Sequence, residues 1–138
     1  METKNIVVVG GGAAGFFCAI QIAEMHPNWH VTIVEKSSKL LSKVRVSGGG
    51  RCNVTHACPD VDHLIQKYPR GQRFLKKAFY QFATLQTIDW FAKNEVKLHT
   101  EKDGRMFPIT NDSETIVACF MKKVNQYQIE ILLNHEVV

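Results

Sequence analysis

No stretch of this sequence is apolar for long enough to cross a bilayer as a helix. The most apolar run, Ile6 to Ile20, is broken by Gly10, Gly11 and Gly12, and no signal-peptide cleavage site follows it. No C-x-x-C pair occurs among Cys18, Cys52, Cys58 and Cys119, and their spacing gives no disulfide framework. Reduced thiols in a soluble, cytoplasmic protein are therefore expected. Cys52, His56, Cys58 and His63 match no zinc-binding spacing, so no metal is expected. Charge of one sign is not in great excess: 17 Lys and Arg against 13 Asp and Glu leave +4. That balance suits an anionic ligand with several phosphates, and nucleic acid as well, so charge alone decides little. Internal repeats, low-complexity segments and linkers are also missing.

What is present begins with a β–α–β unit. Ile6 to Val9 is a short, β-branched, non-alternating run, which predicts a strand buried on both faces of a parallel sheet. Ala13 to about Met25 predicts a helix, closed by Pro27. Val31 to Val34 predicts a second buried strand ending at Glu35. The 138 residues are 45% hydrophobic, enough for one domain with a real core.

Between the first strand and the first helix lies Gly10-x-Gly12-x-x-Gly15. Gly10 permits a tight turn, Gly12 leaves room for a pyrophosphate, and Gly15 lets the helix pack closely on the strand. The free N–H groups of the first helical turn then point at the phosphates. Glu35 lies 20 residues beyond Gly15, where a carboxylate accepts hydrogen bonds from an adenosine ribose and repels a 2′-phosphate. Together these features predict a Rossmann-like α/β fold that binds a dinucleotide.

The rest of the chain inserts into that unit. A second glycine cluster, Ser47-Gly48-Gly49-Gly50-Arg51-Cys52-Asn53, offers backbone N–H groups, a hydroxyl and a guanidinium as a nest for an anion or a polar ring edge, with Val44 to Val46 extended before it. Two helices are predicted next. In Arg73–Phe82 the residues Phe74, Leu75, Ala78, Phe79 and Phe82 share one face and are expected in the core. In Leu85–Lys93 the face is Leu85, Ile88, Phe91 and Ala92, with Thr84 as N-cap and Asp89–Lys93 as an i,i+4 pair. Val96 to Thr100 and Arg105 to Ile109 predict a hairpin around Lys102-Asp103-Gly104. A helix from Ser113 to Val124, with Asn111 and Glu114 as a capping box, leads to a strand at Ile129 to Leu133 and then Val137–Val138. The organisation expected is a core at residues 1–36, an insertion at 37–110, and a helix and strand at 111–138 that return to the sheet.

The late return of the third strand and the Ser47–Asn53 loop favour FAD over NAD. Two rivals stand beside it: an NAD(P)-dependent dehydrogenase domain, and a non-enzymatic nucleotide- or RNA-binding module. The cluster Arg70, Arg73, Lys76 and Lys77 reads as the solvated side of a helix, so nucleic acid is not favoured. Cys52 reads as a packed thiol rather than a redox group, and His56 and His99 as satisfied or surface histidines. For Arg105 and Phe107, cofactor contact and a structural role stay equally open.

Val8-Val9-Gly10-Gly11-Gly12-Ala13-Ala14-Gly15, Lys43-Val44-Arg45-Val46-Ser47-Gly48-Gly49-Gly50-Arg51-Cys52-Asn53-Val54-Thr55 and Gly104-Arg105-Met106-Phe107-Pro108 carry a resemblance over essentially the whole chain. The sequence resembles the bacterial BaiN-type flavoproteins, also called YhiN-like or aminoacetone-oxidase-like, which are NAD(P)/FAD-dependent oxidoreductases. The resemblance implies a glutathione-reductase-type FAD-binding domain with an incomplete parallel sheet. Gly10, Gly12, Ala13, Ala14 and Gly15 would hold the pyrophosphate, and Glu35 the adenosine ribose with Lys36 beside it. Lys43, Ser47, Gly48, Gly49, Gly50, Arg51, Cys52 and Asn53 would line the cofactor further along, and the main chain of Val137 would meet adenine. Leu41 stands where many members carry glycine, which puts the path of the Ser38–Ser42 loop in question. Family members are much longer, so this chain is expected to be an N-terminal portion that is weak in FAD and inactive alone. NAD(P)H is a candidate electron donor; the catalytic residues, the small-molecule substrate and the oligomeric state stay open.

Overall fold

The computed structural model describes residues 3–138. In chain order the elements are β1 (Asn5–Val9), α1 (Ala13–Met25), β2 (His30–Glu35), α2 (Ser42–Gly50), β3 (Thr55–His56), α3 (Val61–Ile65), α4 (Gln72–Gln81), α5 (Thr84–Lys93), β4 (Leu98–Thr100), β5 (Arg105–Pro108), α6 (Glu114–Gln126) and β6 (Glu130–Leu133). They form two sheets. The first is parallel, in the order β1-β2-β6, with Val8 opposite Ile33 and Ile33 opposite Ile131. The second is antiparallel, in the order β3-β5-β4.

This is a Rossmann-like α/β fold whose third parallel strand arrives only at Glu130. The core lies where α1 and α6 meet the parallel sheet. Phe16, Ile20 and Ile33 are fully buried there, and Phe16 packs on Phe120 with ring centroids 6.0 Å apart. Trp90 and Phe91 of α5 extend this cluster, Trp90 edge-on to Phe17 at 5.2 Å.

The expectation that β1 is buried on both faces is corrected. Val7 and Val9 are 61% and 65% exposed, whereas Ile6 and Val8 pack against the core. Among the described residues, nothing covers the Val7–Val9 side. The β-branched run marked a strand correctly but carried no record of how many layers lie over it.

Val44 to Val46 is helical within α2, not extended. Leu41, in a left-handed conformation (φ 55°), starts the helix by accepting from Arg45 N–H, and Val44 is drawn into the core. Tertiary burial here overrides the strand preference of valine.

α4 departs furthest from expectation. Most of its apolar stripe is not core: no residue of the helix is buried and Phe74 is 89% exposed, although Phe82, at its C-cap, packs on Phe17 with ring centroids 5.1 Å apart. Ala78 is exposed as well, and within the helix only Leu75 and Phe79 of the stripe are half-buried. In α5, Trp90 and Phe91 are buried while Leu85 and Ala92 are exposed, so its buried face is turned from the one expected. Thr84 is not the N-cap. Its hydroxyl donates to the His56 carbonyl, and the side chain of Gln86 accepts from Ala83 N–H instead. The Asp89–Lys93 pair forms at 2.7 Å.

The hairpin forms around Gly104 (φ +85°), in register Thr100–Met106. Asn111 does not cap α6. Its side chain bonds His99 at 3.0 Å, and Asp112 accepts from Glu114 N–H at 2.9 Å.

Candidate functional site

The strand-to-helix elbow is open. A Cβ placed on Gly10 or Gly12 would meet no atom within 4 Å, and Gly10 needs its φ of +105° to make the turn. At Gly15 a Cβ would collide with the carbonyl oxygen of Gly10, so the helix rests directly on the strand's exit. Gly11 is buried, and its missing side chain leaves space that Leu40 and Glu35 occupy.

α1 begins at Gly12 with no side-chain cap and no acid in its first turn. Among the described residues no acceptor takes the N–H groups of Gly12, Ala13, Ala14 or Gly15. Buried helix ends ordinarily find partners for such groups, but this one faces solvent, with Gly12, Ala13 and Ala14 exposed. An anion is the natural partner for this array.

Glu35 stands at the mouth of the elbow. One carboxylate oxygen accepts from Gly11 N–H and the other from Ser37 N–H, each at 2.8 Å. The hydrogen bond from Ser37 first, and that from Gly11 second, hold its pKa below the ordinary glutamate value. The side chain is therefore an oriented carboxylate with acceptor capacity left on both oxygens.

Gly11, Gly12, Ala13, Glu35 and Lys43 line one cleft of about 380 Å³, together with Ser37, Lys39, Leu41, Ser42 and Val44. A second cleft of about 250 Å³ shares Ala13, Lys43 and Val44, and adds Ser47, Cys52 and Asn53. The first glycine cluster and the Ser47–Asn53 segment, distant in sequence, thus border adjoining clefts that share Ala13, Lys43 and Val44.

The Ser47–Asn53 segment is not a free loop. α2 unwinds at Ser47, Gly48 and Gly49, and Cys52 N–H closes the turn onto the Ser47 carbonyl at 3.0 Å. Gly48 lies against Phe107, where a Cβ would come within 2.6 Å of the ring, whereas Gly49 opens to space. The guanidinium expected for an anion nest is engaged elsewhere. Arg51 pairs with Glu101 and stacks 4.0 Å over the Phe107 ring. The Asn53 amide nitrogen, turned toward the carbonyls of Thr55 and Met106 at 3.0 and 3.3 Å, ties the segment to β5.

The open question about Arg105 and Phe107 resolves in favour of structure. Phe107 is fully buried, and Arg105 pairs with Asp103 at 2.7 Å and with Glu101. Cys52 is buried, and burial raises its pKa, so the thiol stays protonated at neutral pH. His56 bonds the Asp103 carbonyl at 3.0 Å.

Lys36, Gly48, Gly49, Gly50, Arg51 and Val137 line neither cleft. Val137 is 58% exposed beyond the end of β6, although His135 N–H bonds the Glu35 carbonyl at 3.0 Å and ties this tail to the site. Sequence reasoning missed Ser37, Lys39 and Ser42. The signal was there, in three serines and three lysines between residues 36 and 43. It also missed that Leu41, only 1% exposed, adopts the left-handed conformation that glycine favours.

No helix among the described residues is long and apolar enough to cross a membrane. Comparison with known proteins gives relatives of this architecture. The chain is 30% identical over 131 residues to the ribosomal RNA dihydrouridine synthase of Haemophilus influenzae, a match that covers 95% of this chain and 31% of that protein. It is 25% identical over 129 residues to the 3-dehydro-bile acid delta(4,6)-reductase of Clostridium scindens, covering 93% and 30%. The chain thus spans about a third of the length of these relatives. The crystal structure of Thermovibrio ammonificans THI4 superposes with a TM-score of 0.59 at 11% identity, over 95% of this chain and 38% of that one, and shares the fold. The sequence profile of the HI0933-like protein Rossmann domain matches residues 4–138, and the chain belongs to that family of BaiN- and YhiN-like flavoprotein oxidoreductases.

Proposed function

We propose that this chain holds the ADP half of FAD in a flavin-dependent oxidoreductase, with the diphosphate at the first turn of α1. The observation that carries this reading is the row of unpartnered N–H groups from Gly12 to Gly15 beside an oriented Glu35 carboxylate. The elbow fits the group: a Cβ at Gly12 would stand in empty space that a phosphate oxygen can fill.

In this reading Gly10, Gly12, Ala13, Ala14 and Gly15 bind the diphosphate, and Glu35 accepts from the ribose hydroxyls. Lys43 lies between the two clefts, where its ammonium offsets phosphate charge. Ser47, Cys52 and Asn53 line the route away from the adenosine end. Gly48, Gly49 and Gly50 shape that wall, and Lys36 and the main chain of Val137 flank the adenosine. Arg51 acts on the cofactor only by fixing the turn that carries Ser47 and Cys52. When bound, flavin supplies the two-electron transfer; the protein binds it, orients it and excludes water. NAD(P)H is the proposed electron donor and the cytoplasm the proposed location. Reduction is the proposed direction, since one relative is named for a dihydrouridine product in ribosomal RNA and another as a bile-acid reductase.

An absorption spectrum of the complete gene product tests this, followed by chromatography of the cofactor released by heat. FAD is the expected result. A colourless protein that releases NAD overturns it.

A further inference from the structure

Among the described residues nothing covers the outward face of α4, and its composition is unusual. Phe74 is 89% exposed. Lys77, three residues on, is its neighbour on the helix surface, and Arg73 precedes it; both are exposed. Arg70 lies in the turn that leads into the helix, and Lys67 just before it; all four cations are exposed. Among the described residues none of the four has an acidic partner. Asp62 of α3, which does reach α4, is taken by Lys76 at 2.8 Å and by the Tyr80 hydroxyl at 2.8 Å. Asp60 is taken in turn by His63 N–H, capping α3.

We propose that this face binds RNA, with Phe74 stacking an unpaired base and Arg70, Arg73 and Lys77 meeting the flanking phosphates. Cations with no acid to neutralise them attract a polyanion, and a bare aromatic among them offers a face on which a splayed base stacks. An anionic membrane fits less well. A helix lying in a lipid surface needs a continuous apolar face, and here Phe74, Ala78 and Tyr80 are exposed while Leu75 and Phe79 are half-buried, and the Tyr80 hydroxyl is engaged by Asp62. Duplex DNA hides its bases from such a ring, whereas RNA loops present them. The proposal rests on the oxidoreductase reading for its use, as a way to hold an RNA substrate, but it concerns side chains outside the flavin clefts. RNA affinity and flavin content are therefore read separately.

The test uses the complete gene product and three probes: a labelled hairpin RNA with a single-stranded loop, a fully paired RNA duplex, and phosphatidylserine vesicles. Tighter binding of the hairpin than of the duplex is expected, and Phe74→Ala is expected to weaken it roughly tenfold. The double variant Arg73→Gln/Lys77→Gln should also weaken it and lower the salt slope by about one to two. Flavin content and melting temperature should not change in either, because these side chains are exposed. Hairpin affinity unaltered in both variants overturns the proposal. So does a protein that binds no RNA, or variants that lose vesicle binding while RNA binding stays intact.

Discussion

Glu35 and Gly11 are joined by a 2.8 Å hydrogen bond from the glycine N–H to the carboxylate, across the mouth of the strand-to-helix elbow. This bond places the acid before any ligand arrives. It also divides the labour of the glycine motif. Gly11 orients the carboxylate, Gly12 leaves open space, and Gly15 lets the helix sit on the strand.

That division separates two substitutions of the same size. Gly15→Ala drives a methyl into the Gly10 carbonyl and should cost about 1–3 kcal/mol, read as a lowered urea midpoint. Gly12→Ala meets nothing within 4 Å and should leave the midpoint unchanged while lowering flavin content. Equal midpoints for the two variants contradict this assignment.

The Glu35 carboxyl also gives a pH dependence with a definite sign. Its folded pKa is held below the ordinary value by Ser37 and Gly11 N–H groups. The stability this adds is present above the unfolded pKa and is lost as pH falls through the lowered folded value. Glu35→Gln removes the titration. Melting temperatures of the two proteins should differ most at neutral pH and converge in acid; a gap that widens in acid contradicts the sign.

Much of this was legible in the sequence because local chemistry fixed it. The Gly10–Gly15 spacing, the Asp89–Lys93 pair and the Asp103–Gly104 turn each need only near neighbours, and each forms. What sequence missed depends on distant partners. Arg51 looked free to bind an anion, yet Glu101 and Phe107, far along the chain, engage it. The apolar stripe of α4 had the spacing of a core helix, but spacing does not say what covers it. Val7 and Val9 misled in the same way.

Arg51→Ala should therefore act on stability rather than directly on the cofactor. Loss of the ion pair and the ring contact is expected to cost about 1 kcal/mol in urea denaturation, with flavin still bound. Full stability with lost flavin would assign the guanidinium to the ligand instead.

Leu41 sets two effects against each other. Left-handed backbone costs a non-glycine residue about 1–2 kcal/mol, which Leu41→Gly relieves. The same change removes a side chain that is 1% exposed, and emptying such a site costs about 2–5 kcal/mol. Burial wins, so the variant should be less stable by roughly 1–3 kcal/mol. A gain in melting temperature contradicts this.

The four free thiols should differ in reactivity. Burial raises the pKa of Cys52 and Cys119, whereas Cys18 is exposed and Cys58 partly so. Iodoacetamide labelling at neutral pH, followed by peptide mass spectrometry, should modify Cys18 first and Cys52 last with Cys119. Early labelling of Cys52 contradicts a packed role.

The most direct test of the central claim is flavin occupancy in Gly12→Val and Glu35→Ala variants of the complete gene product, measured as the flavin-to-protein absorbance ratio. A sharp fall in both, with the fold retained by circular dichroism, is the predicted result. Two fully flavinated variants would show that neither the elbow nor its carboxylate holds the cofactor.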